Sequence, residues 1–245
     1  MAAWWKRKSA ARSLSIRKEN VNMSETLLPE TKPAEAVRQV AVMNQSAPQV
    51  RAESPLHHAD RGNVTASQSQ QAGVELRELA LRGHLVLRGS QNSASFMQGC
   101  LTVLGLPLPT APLTSAEDGD ISVRWLSPDE WLVVLPMDQL FPVEKALRAE
   151  ITGHFSVVNV SGGQTILALS GKHAVDVLKK STVLDLHPSQ FPVGKVAGSV
   201  FAKSSALIRR TGPESWELVI RRSFAEYIWL WLRDASREYG LKITA

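Results

Sequence analysis

The chain has 245 residues, 44% of them hydrophobic and 21% charged, with one cysteine and a formal net charge of +5. That length supports one good-sized core or two small ones. No run nears the roughly 18–20 consecutive apolar residues of a membrane-spanning helix, and the lone Cys100 excludes an internal disulfide framework or a zinc site built on several cysteines.

The excess charge is local. Residues 1–22 hold Lys6, Arg7, Lys8, Arg12, Arg17 and Lys18 against Glu19 alone. Removing them from the 28 bases and 23 acids leaves 22 of each, so the rest of the chain is formally neutral. A nucleic-acid surface needs clustered cations on the fold itself. The body of the chain has no such stripe, and neither nucleic acid nor a membrane is expected as a partner. The segment lacks the apolar h-region of a secretory signal, which makes the expected location cytoplasmic. Three readings of it stay open: a disordered basic extension, a stretch upstream of a natural start at Met23, and an Arg-, Ser- and Ala-rich presequence.

Residues 23–73 read as an extended polar arm with Pro29, Pro33 and Pro48, a short helix over Ala34–Met43, and a polar loop over Asn63–Gln71 too hydrophilic to pack. Structured elements are predicted from Val74. Val74–Leu79 and His84–Arg88 alternate apolar and polar residues, as half-buried strands do, with Arg82-Gly83 as the turn between them. A helix follows over Ser93–Val103. The strands Ile121–Leu126 and Glu130–Leu135 form a hairpin across Ser127-Pro128-Asp129, where proline presets the turn's φ. A helix over Pro142–Ile151 closes this first unit, residues 74–152.

The second unit, residues 153–245, is predicted as Phe155–Val160, Gln164–Ser170, a helix over Lys172–Lys180, three strands (Lys195–Lys203, Ser205–Arg210, Ser215–Ile220) and a final helix. Ser161-Gly162-Gly163 reads as a hairpin turn. Ser223 and Glu226 have the spacing of a capping box. Phe224, Tyr227, Ile228, Trp231, Leu232 and Ala235 then fall on one helical face.

The two units are copies. Leu85-Val86-Leu87-Arg88-Gly89 is echoed by Ile166–Gly171, and Ser127-Pro128-Asp129-Glu130-Trp131 by Gly212-Pro213-Glu214-Ser215-Trp216. The offset of about 80–85 residues is that of a duplicated unit. The outline is an α+β fold of two β-β-α-β-β-α (ferredoxin-like) units, antiparallel sheets with packed helices sharing one core.

Chemistry is sparse. Cys100 shares a helical face with Phe96, Met97, Leu101 and Leu104 and reads as a core residue. His57 and His58 are adjacent, so they make no ready metal site and read as contacts within an extended arm. His84, His154, His173 and His187 read as local hydrogen-bonding groups. There is no H-x-x-x-H, C-x-x-C, G-x-S-x-G or P-loop, and Ser161-Gly162-Gly163 lacks the strand–turn–helix setting of a dinucleotide fingerprint. No catalytic, cofactor-binding or metal-binding residue is therefore assigned.

Trp131 and Trp216 occupy equivalent repeat positions and read as core. Trp229 and Leu230 lie off the predicted stripe of the last helix, on opposite flanks. Such apolar flanks suit contact with another chain. The candidate subunit interface is accordingly Ser54, Pro55, Leu56, His57 and His58 of the arm, with Trp229 and Leu230.

Glu53-Ser54-Pro55-Leu56, Trp125–Leu132, Asp185-Leu186-His187-Pro188 with Phe191-Pro192, and Arg222-Ser223-Phe224-Ala225-Glu226-Tyr227 resemble the gamma subunit family of heterotetrameric sarcosine oxidase, in consistent order from Glu53 to Gly240. The resemblance implies a non-catalytic structural subunit with alpha, beta and delta partners. It implies a complex that oxidatively demethylates sarcosine to glycine, passes the one-carbon unit to tetrahydrofolate, and makes hydrogen peroxide. FAD, FMN, NAD and zinc would be held by the other subunits, and the fold would be similar to the folate-binding aminomethyltransferase (T-protein) fold. The competing reading is a stand-alone folate-binding or aminomethyltransferase-like protein, which would need a carboxylate poised in a central pocket.

Overall fold

Residues 51–59 and 72–244 are described by the computed structural model. The expected basic extension, the helix over Ala34–Met43 and the polar loop over Asn63–Gln71 lie outside the described residues.

The alternating stretch at Val74 forms strand β1 (Val74–Leu79), and its continuation forms β2 (Arg82–Gly89). The turn between them is Ala80-Leu81, not Arg82-Gly83. Leu81 takes φ 55°, a left-handed conformation that costs a non-glycine residue about 1–2 kcal/mol. Gly83 is instead inside β2, where a Cβ would come within 3.0 Å of Leu140 Cδ1. The glycine serves close packing rather than the turn.

Helix α1 (Ala94–Leu104) starts where Ser93 accepts a bond from the Phe96 amide and ends at Gly105, which takes φ 74°. Next come β3 (Ser115–Asp118), β4 (Ile121–Ser127), β5 (Glu130–Pro136) and α2 (Met137–Glu150). Helix α2 begins five residues before the expected Pro142. Leu140 is buried on the core in that first turn, which outweighs the one backbone bond the proline forfeits. The second copy follows as β6 (Phe155–Asn159), β7 (Gln164–Ser170), α3 (Ala174–Lys179), β8 (Val196–Phe201), β9 (Ser204–Gly212), β10 (Ser215–Arg221), α4 (Ala225–Ala235) and β11 (Leu241–Thr244).

Each copy thus has three strands after its first helix, one more than the outline. The unexpected strand of the first copy, β3, is Ser-Ala-Glu-Asp at a sheet edge and carries no apolar alternation to reveal it.

The strands form a six-stranded sheet, β11-β1-β7-β10-β9-β8, and a five-stranded sheet, β3-β4-β5-β2-β6. All pairs are antiparallel except β1 with β11. The sheets do not follow the repeat. β1 of the first copy pairs with β7 of the second, and β6 of the second pairs with β2 of the first. Ser161–Gly163, a 3-10 turn, is therefore a crossover between sheets and not a hairpin turn. Each copy lends its first strand to the other's sheet, so neither sheet is complete without both halves.

Helices α3 and α4 pack on the six-stranded sheet around Trp216, and α1 and α2 pack on the five-stranded sheet around Trp131. Phe191 lies 5.3 Å from the Trp216 ring and Phe96 lies 5.7 Å from that of Trp131. Between the inner faces of the two sheets is a smaller cluster of Leu132, Val134, Ile166 and Val219. Leu79, Val86, Leu126, Val160 and Leu207 pack around it.

Candidate subunit interface

The arm before β1 is fastened to its own chain. Leu56 is fully buried in the core of the six-stranded sheet. Ser54 is also buried, and its hydroxyl donates to Glu78 Oε2 at 2.8 Å, while Thr165 donates to Oε1 at 2.8 Å. Backbone bonds from His57 to Ser54 and from Ala59 to Leu56 hold the segment in a turn. Ser54 and Leu56 are therefore anchors, not surface for a partner. A serine hydroxyl and a leucine in a polar arm match an internal lock as well as an external contact, and their side-chain types alone do not separate the two.

Pro55 is half-buried, and His57 and His58 stay exposed. His57 Nδ1 bonds the Ser54 carbonyl at 2.8 Å and its Nε2 lies 3.2 Å from Glu53. His58 Nε2 lies 4.0 Å from Glu226 on α4, so the arm runs beside the start of that helix.

On α4 the buried face is Ala225, Ile228, Trp229 and Leu232. Trp229, expected at an interface, is 2% exposed and belongs to this chain's core. Leu230 is 51% exposed, and Phe224 and Trp231, expected on the buried stripe, are exposed as well. The true face is rotated because the chain enters through a 3-10 turn over Arg222–Phe224, which removes Phe224 from the helix and leaves the Ser223–Glu226 capping box unformed. Trp231 is tied back to the fold by its Nε1, which donates to the buried Ser181 at 2.8 Å. The outward apolar surface is thus Phe224, Leu230 and Trp231, with His57 and His58 as flanking exposed residues of the arm.

The interior holds charges that sequence spacing did not reveal. Arg124 on β4 is 1% exposed and donates to Glu217 on β10 at 2.5 Å. Arg209 on β9 also reaches Glu217, at 3.4 Å, and bonds Ser115 and Glu117 of β3. Burial lowers the Arg124 pKa to about 10 against the opposing pull of Glu217. These residues cross-link the two sheets. Each sits at an apolar–polar alternation of an ordinary-looking strand, so only the pairing of sheet faces brings them together.

His84 is buried in β2, and neither ring nitrogen has a partner among the described residues. Its expected role as a hydrogen-bonding group is not met. Burial, then the nearby Arg124, lowers its pKa to about 4, so the ring is neutral at pH 7. His187 does bond locally, to Ser189 at 2.7 Å. Burial raises the Cys100 thiol to about 12, which leaves no thiolate for nucleophilic chemistry at pH 7.

A central carboxylate free to hold a pterin would fit a folate site. Among the described residues the interior acids are each bonded within the chain: Glu217 through Oε2 to two arginines, Glu78 to Ser54 and Thr165, and Glu144 through Oε1 to Arg148. Among the described residues no three His, Cys, Asp or Glu side chains converge as a metal site, and no helix is long and apolar enough to cross a membrane.

Residues 88–238 match the family model described as "Sarcosine oxidase, gamma subunit family". Two relatives, both the sarcosine oxidase subunit gamma of Corynebacterium sp., are similar along most of their length. That of strain P-1 is 33% identical over 189 residues, and that of strain U-96 is 34% identical over 195. Each alignment covers 76% of this chain and 91% of the relative. The solved heterotetrameric sarcosine oxidase from Corynebacterium sp. U-96 contains a chain that matches with TM-score 0.71 and 31% identity, covering 79% of this chain and 99% of that one. The glycine cleavage system aminomethyltransferase T of Bartonella henselae matches at TM-score 0.52 and 15% identity, over 71% of this chain and 48% of that one, which is a likeness of fold alone. With a family model spanning more than half its length and relatives above 30% identity, the chain belongs to the sarcosine oxidase gamma subunit family.

Proposed function

We propose that this chain is a non-catalytic assembly subunit of a heterotetrameric sarcosine oxidase, with alpha, beta and delta subunits as its partners in the cytoplasm. The complex oxidatively demethylates sarcosine to glycine, linked to one-carbon transfer to tetrahydrofolate and production of hydrogen peroxide. FAD, FMN, NAD and zinc are held on the other subunits. The observation that supports the non-catalytic role is that the interior acids Glu217, Glu78 and Glu144 are each bonded to this chain's own donors, as members of structural pairs. The exposed face of Phe224, Leu230 and Trp231, with His57 and His58 of the arm, supports the assembly role, since clustered apolar residues on a surface suit a partner.

The test is co-expression of a tagged chain with the three other subunits. A yellow eluate showing flavin absorbance and sarcosine-dependent peroxide is expected, against a colourless eluate from the chain expressed alone. A stable monomer that ignores those subunits and binds tetrahydrofolate would replace this reading with the stand-alone folate protein.

A further inference from the structure

The outward side of α4 carries a continuous apolar strip. Phe224, Tyr227, Leu230 and Trp231 are linked by spacings of three and four residues, so they adjoin on the helix surface. Tyr227 and Trp231 are in ring contact, with 6.4 Å between centroids. Two neighbouring segments extend the strip. Trp231 donates to Ser181, the Ser181 carbonyl accepts from the Ala202 amide, and the Lys203 amide donates to the Tyr227 hydroxyl. These bonds draw the loop after α3 and the turn between β8 and β9 against the aromatic side of the helix. Val183, two residues past Ser181 in that loop, is 87% exposed.

The charges around the strip are unevenly paired. Its acids have partners: Glu226 lies 4.0 Å from His58, Asp234 lies 3.3 Å from Arg237, and Glu238 is bonded to Lys180. Two cations do not. The side chains of Lys203, in the turn beside Tyr227, and of Arg233, three residues after Leu230, make no hydrogen bond or ion pair with any described residue. One stands on the aromatic side of α4 and the other on the Leu230 side, so the strip is bracketed by positive charge with no counter-charge.

Apolar side chains flanked by cations call for the opposite arrangement, apolar side chains flanked by carboxylates. Aromatic residues beside lysine and arginine also suit an anionic bilayer. Here, however, Glu226 and Asp234 share the exposed side of α4 and would repel a continuous layer of anionic headgroups. A folded protein can set separate carboxylates against Lys203 and Arg233 and avoid the two acids.

Resting on the subunit reading above, we infer that the α4 strip receives an acidic surface of another oxidase subunit. Apolar side chains of that surface seat on Phe224, Leu230 and Trp231, and its carboxylates pair with Lys203 and Arg233. The aromatic residues supply the water-excluding contact, and the flanking charges set the rate of encounter and the choice of partner.

The experiment measures binding of the full chain to the three co-expressed other subunits at low and high salt, for the wild type and for a Lys203→Glu, Arg233→Gln double variant. Neither side chain has a partner to lose among the described residues, so the isolated variant should keep the wild-type thermal midpoint. Wild-type affinity should fall as salt rises. The double variant should bind about tenfold more weakly at low salt and show a flatter salt dependence. If the variant assembles with wild-type affinity and salt dependence, the acidic-partner inference is overturned and the subunit reading stands. Failure of the wild type to assemble would remove both. Two further outcomes would overturn the stated partner: self-association of the isolated chain that the variant abolishes, which assigns the strip to a second copy, and variant-sensitive binding to phosphatidylglycerol vesicles, which assigns it to a bilayer.

Discussion

Arg124 of β4 and Glu217 of β10, 93 residues apart, meet at 2.5 Å across the layer between the two sheets. Arg124 is almost wholly buried and Glu217 partly so. Removing one member of a buried pair costs about 3–5 kcal/mol because it strands the other. Glu217→Ala should therefore cost more than Arg124→Met. The first leaves the buried Arg124 guanidinium without its carboxylate and Arg209 with Glu117 alone, whereas the second leaves Glu217 with Arg209. Urea denaturation of the two variants checks the order, and equal losses would contradict it.

His84 makes stability depend on pH. Its pKa is about 4 when folded against 6.5 for a solvated ring. Between those values the unfolded chain binds a proton that the folded chain refuses. Stability is thus intact above pH 6.5 and falls as the pH drops toward 4, by about 3 kcal/mol for this group. His84→Leu should flatten that part of the pH–stability curve. An unchanged slope in the variant would assign the loss to other groups.

The arm is part of the fold energetically. Leu56→Ala should destabilise the chain by about 2–5 kcal/mol, the usual range for a fully buried leucine. Ser54→Ala should cost about 1 kcal/mol, since Glu78 keeps Thr165 as a donor. Thermal melts of both variants measure this. Wild-type stability in Leu56→Ala would mean the arm merely rests on the surface.

Neighbouring residues of α4 should separate folding from assembly. Trp229→Ala removes a core side chain and should cost about 3–5 kcal/mol. Leu230→Asp alters an exposed position and should change stability by no more than about 0.5 kcal/mol, while weakening capture of the other subunits. Circular dichroism melts and co-purification on the same two variants give both readings, and a Leu230 variant that assembles normally would exclude α4 from the interface.

The sequence alone determined the local pattern and the duplication. Alternation located β1, because a half-buried strand writes its two faces into successive residues, and the Ser127-Pro128-Asp129 turn marked the hairpin of β4 and β5. The paired Trp131 and Trp216 were legible as core from their equivalent positions, and four family-like segments pointed to the family. The tertiary structure decided what those patterns face. Whether Leu56 and Trp229 meet their own chain or another depends on which surface is nearby, and an apolar side chain carries no label for that. The exchange of β1 and β6 between sheets depends on long-range pairing, which period-2 patterning leaves open. The Arg124–Glu217 link arises only when two distant strands share a layer, since charge pairing and packing are properties of the assembled sheets and not of any one segment.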